Sequence, residues 1–187
     1  MTMRTAPRVW LCACALLAAC GGDAWRPSAA DDPAQAARRQ AAADARDAMA
    51  QQLLGELTAA LAAGGPTAAI GICRERAPAI AASVAAQRGV GIGRTSQRLR
   101  NPANAAPAWA VAYTAGPATE PAFFTGPRQQ LGALFPIRLQ PMCVQCHGRG
   151  DEVTEPVRAA LQASYPHDAA TGFAAGDLRG WFWVEVP

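Results

Sequence analysis

Five consecutive residues, Cys143-Val144-Gln145-Cys146-His147, carry the clearest chemical signal in the chain. The spacing Cys-x-x-Cys-His is the attachment signature of a c-type haem. Two thiols three positions apart on one helical turn can each form a thioether bond with a haem vinyl group. The histidine that follows is then placed to bind the iron axially. The motif predicts one covalent haem, attached to Cys143 and Cys146, with His147 as an axial ligand.

Two other kinds of site use paired cysteines at this spacing. A zinc site needs four ligands, and few histidines and cysteines remain outside the motif to complete one. A thioredoxin-like redox pair is expected at the start of a helix in a βαβ unit, and the sequence lacks that pattern. Haem therefore fits the motif better than either alternative.

The N-terminal segment predicts export, and haem c is attached outside the cytoplasm. Two arginines precede an apolar run, residues 9–19, that is too short to span a bilayer, so residues 1–19 are predicted to be a signal peptide. Leu17-Ala18-Ala19-Cys20 resembles a lipobox, which predicts a lipid anchor on Cys20. Because Gly21 rather than aspartate follows, the outer membrane is favoured over the inner one. An ordinary cleaved signal with a coincidental cysteine is the alternative.

Cys73 is the one cysteine left once those of the signal, the lipid site and the haem motif are counted. A lone thiol in an oxidising compartment has no disulfide partner. It is either a buried small apolar residue or the second axial ligand of the iron, and the residues alone leave both interpretations open. His167, in a predicted turn, and Met49 are the rival ligands.

Composition limits the remaining function classes. The mature chain has the length of a single domain. All 17 basic residues are arginine, and loss of the two signal arginines lowers the formal charge from +3 to +1. No nucleic-acid-binding surface is expected.

Apolar spacing and turn residues predict an α+β domain over residues 34–187, preceded by a flexible tether at 20–33. Ile92 of the first long strand is expected to face the core, with Arg94, Ser96 and Arg98 on the other side. Pro78 should bend the second helix one turn past Cys73. The predicted elements are helices at 34–63 and 67–87 separated by Gly64-Gly65-Pro66, a strand at 90–100, a short helix at 103–113, a loop at 114–132, a strand at 134–139, a helix at 155–164 and a strand at 178–186.

Several motifs follow one another in a recognisable order. They are Ala69-Ile70-Gly71-Ile72-Cys73 with Ala77-Pro78, Gly93-Arg94-Thr95-Ser96 with Arg100-Asn101-Pro102-Ala103-Asn104, Pro136-Ile137, Cys143 to Gly148, Tyr165-Pro166 through Gly172, and Gly176 to Gly180. Together they resemble a family of periplasmic single-haem domains of PAS-like fold. Its members occur as free secreted proteins and as the outer sensor part of some histidine kinases and cyclases.

The resemblance implies a PAS-like antiparallel sheet with long N-terminal helices packed on it and one c-type haem. It implies His147 and Cys73 as the axial ligands. It also favours Arg94 and Ser96 for hydrogen bonds in the haem pocket, with Ile70 as a further pocket residue. The guanidinium groups of Arg94, Arg98 and Arg100 are well shaped to pair with the haem propionates, although a solvated strand face is the preferred interpretation for Arg98.

Ligand chemistry narrows the expected function. A thiolate ligand lowers the iron potential, and an iron bound on both faces has no open position for substrate, so no enzyme activity is expected. The favoured expectation is a periplasmic lipoprotein that senses redox state or a small gas through Cys73 and passes the signal to a partner protein. A low-potential electron carrier with a redox partner is the first alternative. A binding module with a structural haem is the second.

Overall fold

The computed structural model describes residues 24–29, 31–117 and 120–187. Within them a five-stranded antiparallel sheet carries a helical layer on one face. The predicted combination of helices and an antiparallel sheet is therefore confirmed. The predicted signal peptide and the lipid site Cys20 lie outside the described residues.

The elements follow one another in a helix-first order. The helices are α1 (Ala36–Gly71), a π-helical turn (Ile72–Arg76), α2 (Ala77–Arg88), α3 (Val144–His147) and α4 (Glu155–Ser164). The strands are β1 (Arg26–Pro27), β2 (Gly91–Thr95), β3 (Ala122–Thr125), β4 (Leu131–Arg138) and β5 (Leu178–Val186). They lie in the order β1-β3-β4-β5-β2, with every pair antiparallel.

The long helical stretch reverses direction at Gly65. Its backbone there has φ 70° and ψ −167°, a conformation nearly exclusive to glycine, and Pro66 follows. In a continuous helix Glu56 and Arg76 would lie about 30 Å apart. Instead they form two hydrogen bonds of 2.7 and 2.8 Å, so the chain folds into two antiparallel arms. This helical hairpin, residues 36–88, confirms the break predicted at Gly64-Gly65-Pro66.

The core lies between the hairpin and the sheet. Met49 and Leu53 of the first arm and Ile80 and Val84 of the second pack against alternate residues of the central strands. The facing sheet residues are Leu131, Ala133 and Phe135 of β4 with Phe182, Val184 and Val186 of β5. Each fully buried aliphatic side chain contributes about 1.5–3 kcal/mol to the free energy of unfolding. By length and composition the helical stretch Pro33–Arg88 resembles a membrane span, but it reverses and packs its buried residues on this sheet.

Aromatic side chains cover the opposite face of the sheet. Trp25 stacks on Trp109 with ring centroids 4.9 Å apart, and Tyr113 packs on Phe124 at 3.9 Å. Trp25 belongs to the segment predicted as a tether, and Arg26–Pro27 pairs with β3. The packed part of the chain therefore begins earlier than the tether prediction of residues 20–33 allows.

Two element predictions in the middle of the chain are wrong. Residues 103–113 form a 3₁₀ turn, Pro102–Asn104, followed by separate hydrogen-bonded turns rather than a helix. The predicted loop at 114–132 contains β3 and the start of β4. In both places the aromatic side chains find long-range partners across the sheet, which local spacing does not reveal. By contrast, α4 and β5 have the predicted bounds.

The prediction that Arg94 faces away from Ile92 is also wrong. Side chains alternate along a strand with a period of two, so residues 92 and 94 share a face. Arg94 pairs with Phe182 in the sheet, and cross-strand partners project to the same side. Arg94 therefore lies on the hairpin side of the sheet.

Candidate functional site

A cavity opens between the tip of the helical hairpin and the end of β4. It encloses about 660 Å³ of space between the atoms, part of which is open to solvent. We call it the cofactor cavity. Most of its walls are aliphatic, and its titratable lining residues are cysteine, histidine, tyrosine and arginine. The lining residues are Leu57, Leu61, Ala69, Ile70, Cys73, Arg100, Ile137, Leu139, Met142, Cys143, Cys146, His147, Tyr165 and Arg179.

The attachment motif forms a single compact turn at one end of this cavity. A 3₁₀ turn, Pro141–Cys143, runs directly into α3, so that Cys143 and Cys146 both border the same space. The Cys146 sulfur lies 4.0 Å from the carbonyl oxygen of Pro66 at the hairpin tip. Burial raises the pKa of both thiols, and neither forms a disulfide. The described residues contain no cluster of three or more His, Cys, Asp or Glu ligands of the kind a zinc site requires.

The backbone holds the His147 imidazole in one tautomer. Its Nδ1 lies 2.6 Å from the carbonyl oxygen of Ala170, which can only accept, so Nδ1 carries the proton and Nε2 is left as an acceptor. Burial lowers the pKa of His147 to about 2, and the charges of Arg100 and Arg179 act in the same direction. A neutral imidazole with a free Nε2, oriented by a carbonyl on its other nitrogen, is the usual form of a metal-binding histidine.

A buried ion pair supports the loop that orients His147. Arg100 donates from Nε to Asp168 at 2.9 Å and from Nη2 to the Cys146 carbonyl at 2.6 Å. The other carboxylate oxygen of Asp168 accepts from the Ala170 amide at 2.7 Å. The Arg100 and Asp168 side chains are only 8% and 10% exposed. The sequence predicts an ordinary turn around Asp168. An acidic residue directly after Pro166-His167 is the only local sign in the sequence of the role that Asp168 has here.

Cys73 lies on the π-helical turn and lines the cofactor cavity together with the attachment motif. The Ala77 amide bonds to the Ile72 carbonyl, five residues back, and Pro78 then lacks an amide hydrogen. The hydrogen-bond pattern therefore departs from that of an α-helix at the cysteine itself, one turn before Pro78. Such π-turns are frequent at functional sites. Cys73 is partly exposed, since it borders the cavity rather than the core.

The rival iron ligands lie elsewhere. His167 is exposed on the surface beside Arg74 and Pro166 and does not line the cofactor cavity. Met49 is 1% exposed, between the hairpin and the sheet, and is also absent from the cavity wall.

Of the predicted pocket residues, Ile70 lines the cofactor cavity, whereas Arg94 and Ser96 do not. Ile70 lines the cavity and packs on Tyr165 and α4. Ser96 bonds within the protein, donating to the Arg179 carbonyl at 2.7 Å and accepting from the Arg98 amide at 3.0 Å. Arg98 is exposed and donates to the carbonyls of Ala169 and Thr171, which agrees with its predicted surface position. Arg94 borders a smaller cavity next to this one.

These residues fit a covalently bound haem. Two unpaired thiols on one turn, a neutral imidazole with a free acceptor nitrogen, a third thiol on the cavity wall and a mostly apolar lining suit that group. Arginine side chains at the cavity edge suit its carboxylates.

Comparison with known proteins gives two matches. The Tll0287-like family model matches residues 28–187. The structure is similar to the crystal structure of the cyanobacterial haem protein Tll0287, with a TM-score of 0.62 and 22% identity, covering 81% of this chain and 96% of that one. No curated protein matches the sequence. The family match spans most of the chain and the fold is shared with Tll0287; the chain belongs to the Tll0287-like family.

Proposed function

We propose that this protein binds one c-type haem, attached to Cys143 and Cys146, with His147 and Cys73 as its axial ligands. One observation carries the proposal: all four residues line a single cavity. The bond from His147 Nδ1 to the Ala170 carbonyl leaves Nε2 as the acceptor. The similar fold of Tll0287, which is a haem protein, supports it. The position of β5 between β2 and β4 in the antiparallel sheet supports a PAS-like fold.

A haem bound in this way supplies one-electron chemistry and, where an axial position opens, a site for a small gas. The chain contributes a fixed side and an adjustable side. On the fixed side, the carbonyl of Ala170 and the Arg100–Asp168 pair hold His147. On the adjustable side, Cys73 stands on a π-turn whose hydrogen bonds can return to the α-helical spacing. This asymmetry favours a redox or small-gas sensor.

A low-potential electron carrier is the second candidate function. The apolar cavity supports this function, because a haem buried there could transfer electrons without binding a substrate. Two protein ligands also favour a role other than catalysis. We place the protein on the periplasmic side of the membrane, anchored by lipid on Cys20, with a signalling or redox protein as its partner.

Covalent attachment is tested first. The protein is produced in a host with a cytochrome c maturation system, and haem is detected on a denaturing gel. The wild-type band should stain for haem, whereas Cys143→Ser with Cys146→Ser should lose the stain. Wild-type protein with both thiols free to alkylation would contradict the proposal.

The distal ligand is tested by three matched substitutions. Cys73→Ala should convert a low-spin ferric spectrum into one with an open coordination position. His167→Ala and Met49→Leu should leave the spectrum unchanged, because both side chains lie outside the cavity. A spectrum altered by His167→Ala but not by Cys73→Ala would assign the ligand to His167.

Carbon monoxide separates the two candidate roles. If Cys73 leaves on reduction, the reduced wild-type protein should bind carbon monoxide as fast as Cys73→Ala does. If it stays, only Cys73→Ala should bind, and the electron-carrier role would be favoured.

A further inference from the structure

A second cavity adjoins the cofactor cavity on the hairpin side of the sheet. It holds about 310 Å³ and shares the side chains of Arg100, Ile137 and Arg179 with its neighbour. Apart from Gly180 of β5, its remaining lining residues come from β2 and the segment after it, and include Arg94, Ser96 and Asn104. The two cavities are thus separated by a wall that contains two arginine side chains.

Positive charge around this wall exceeds negative charge. Three guanidinium groups, those of Arg94, Arg100 and Arg179, act on one another and on His147. Asp168 pairs with Arg100, and no Asp or Glu lines either cavity. Burial, followed by the charges of Arg100 and Arg94, lowers the pKa of Arg179 to about 10, so this guanidinium stays protonated at neutral pH. Two positive charges therefore lack a counter-charge.

The same side chains have hydrogen-bond donors to spare. Arg94 donates to no residue in the part of the chain that the structure describes, and it belongs to no ion pair there. Arg179 donates a single bond, to the Arg98 carbonyl at 3.1 Å. A guanidinium fork binds a carboxylate through two parallel bonds. The missing acceptors are therefore best supplied by carboxylates.

We propose that Arg94 and Arg179, with Arg100 beside them, form a carboxylate-binding site where the smaller cavity meets the cofactor cavity. The inference rests on the proposed function for its favoured ligand, the two carboxylates of the haem, which match the two uncompensated charges. A free organic acid in the smaller cavity would offer the same chemistry.

The test uses haem-loaded protein and three single variants. Arg94→Gln removes the charge and the fork, Arg94→Lys keeps the charge, and Arg88→Gln removes an exposed arginine at the end of α2 as a matched control. Resonance Raman spectroscopy follows the bending band of the haem propionates, and spectroelectrochemistry follows the midpoint potential. Calorimetry with malonate, on loaded and haem-free protein, tests for a free acid.

For haem carboxylates, the propionate band should shift in Arg94→Gln and not in Arg88→Gln. The ratio of reduced to oxidised protein at the wild-type midpoint should fall about tenfold, a shift of about 59 mV for one electron. Arg94→Lys keeps the positive charge, so it should restore most of the wild-type midpoint potential but not the wild-type position of the propionate band. For a free acid, wild-type protein should bind malonate and Arg94→Gln should not. An unshifted band together with no malonate binding overturns the site. If no haem is incorporated, the proposed function fails by itself, and malonate binding to haem-free protein alone decides the site.

Discussion

The Arg100–Asp168 pair gives the sharpest prediction about the loop that holds His147. Asp168→Asn removes the negative charge but keeps an acceptor for the Ala170 amide. Arg100 is then a buried cation, 8% exposed, with only carbonyl oxygens as partners. Breaking one side of a buried pair costs about 3–5 kcal/mol, and we expect about 3 kcal/mol because the acceptor is retained. That is a large share of the stability of a typical domain.

Urea unfolding of the loaded protein, followed by circular dichroism, measures this loss. With an m-value of about 2 kcal/mol/M, the midpoint should fall by about 1.5 M. Glu155→Gln is the matched control, because its pair with Arg158 is solvent-exposed and is worth less than about 1 kcal/mol. The double variant Arg100→Met with Asp168→Asn should recover part of the loss, with a coupling energy of about 1.5 kcal/mol or more.

Equal midpoints for Asp168→Asn and Glu155→Gln would refute the reasoning, since the buried pair would then contribute no more than an exposed one. A large loss with no coupling to Arg100 would show instead that the Asp168 acceptor matters and the charge does not. The ferric spectrum provides an independent readout, because a loosened Ala170 loop should broaden the bands that report on His147.

Three further substitutions, one of them with a matched control, test the backbone and the sheet. Gly65→Ala should lower the free energy of unfolding by about 1–3 kcal/mol, because alanine is strained at that turn. The matched control is Gly55→Ala, in an open helical position, which should raise the free energy of unfolding by about 0.5–1 kcal/mol in the same urea assay. Gly180→Ala should lower the thermal midpoint, since its Cβ would overlap a carbonyl oxygen of β2, and an unchanged midpoint would mean that the strands can separate there. Trp25→Ala should lower the free energy of unfolding by at least about 0.5–1.5 kcal/mol, because it removes the stack on Trp109. An unchanged free energy of unfolding would mean that the segment around Trp25 belongs to the predicted tether rather than to the folded domain.

Sequence reasoning succeeded where the signal is local. The α4 bounds follow from apolar spacing within a single helix. The reversal at Gly65 is likewise written in consecutive residues, because few other sequences could form that turn. Each of these features could be predicted without knowing which segments meet in space.

It failed where the decisive partner is distant in the chain. β3 is four residues long and is a strand only because β4 and β1 pair with it. The role of Asp168 depends on Arg100, 68 positions earlier. The error at Arg94 was of another kind, since counting alternate positions from Ile92 was enough to place both on one face.

The candidate site and the packing of the fold depend on each other, because the cofactor cavity lies where small clusters of the fold meet. Two small clusters border it: α4 with Ile70 and Tyr165 on one side, and Leu139 with Phe173 on the other. Clusters of this size bury too little apolar area to be stable alone. They are joined through the cavity and through the loop that carries Asp168 and Ala170. If the protein is the sensor proposed above, a change of register at Cys73 would move the hairpin arm against both clusters.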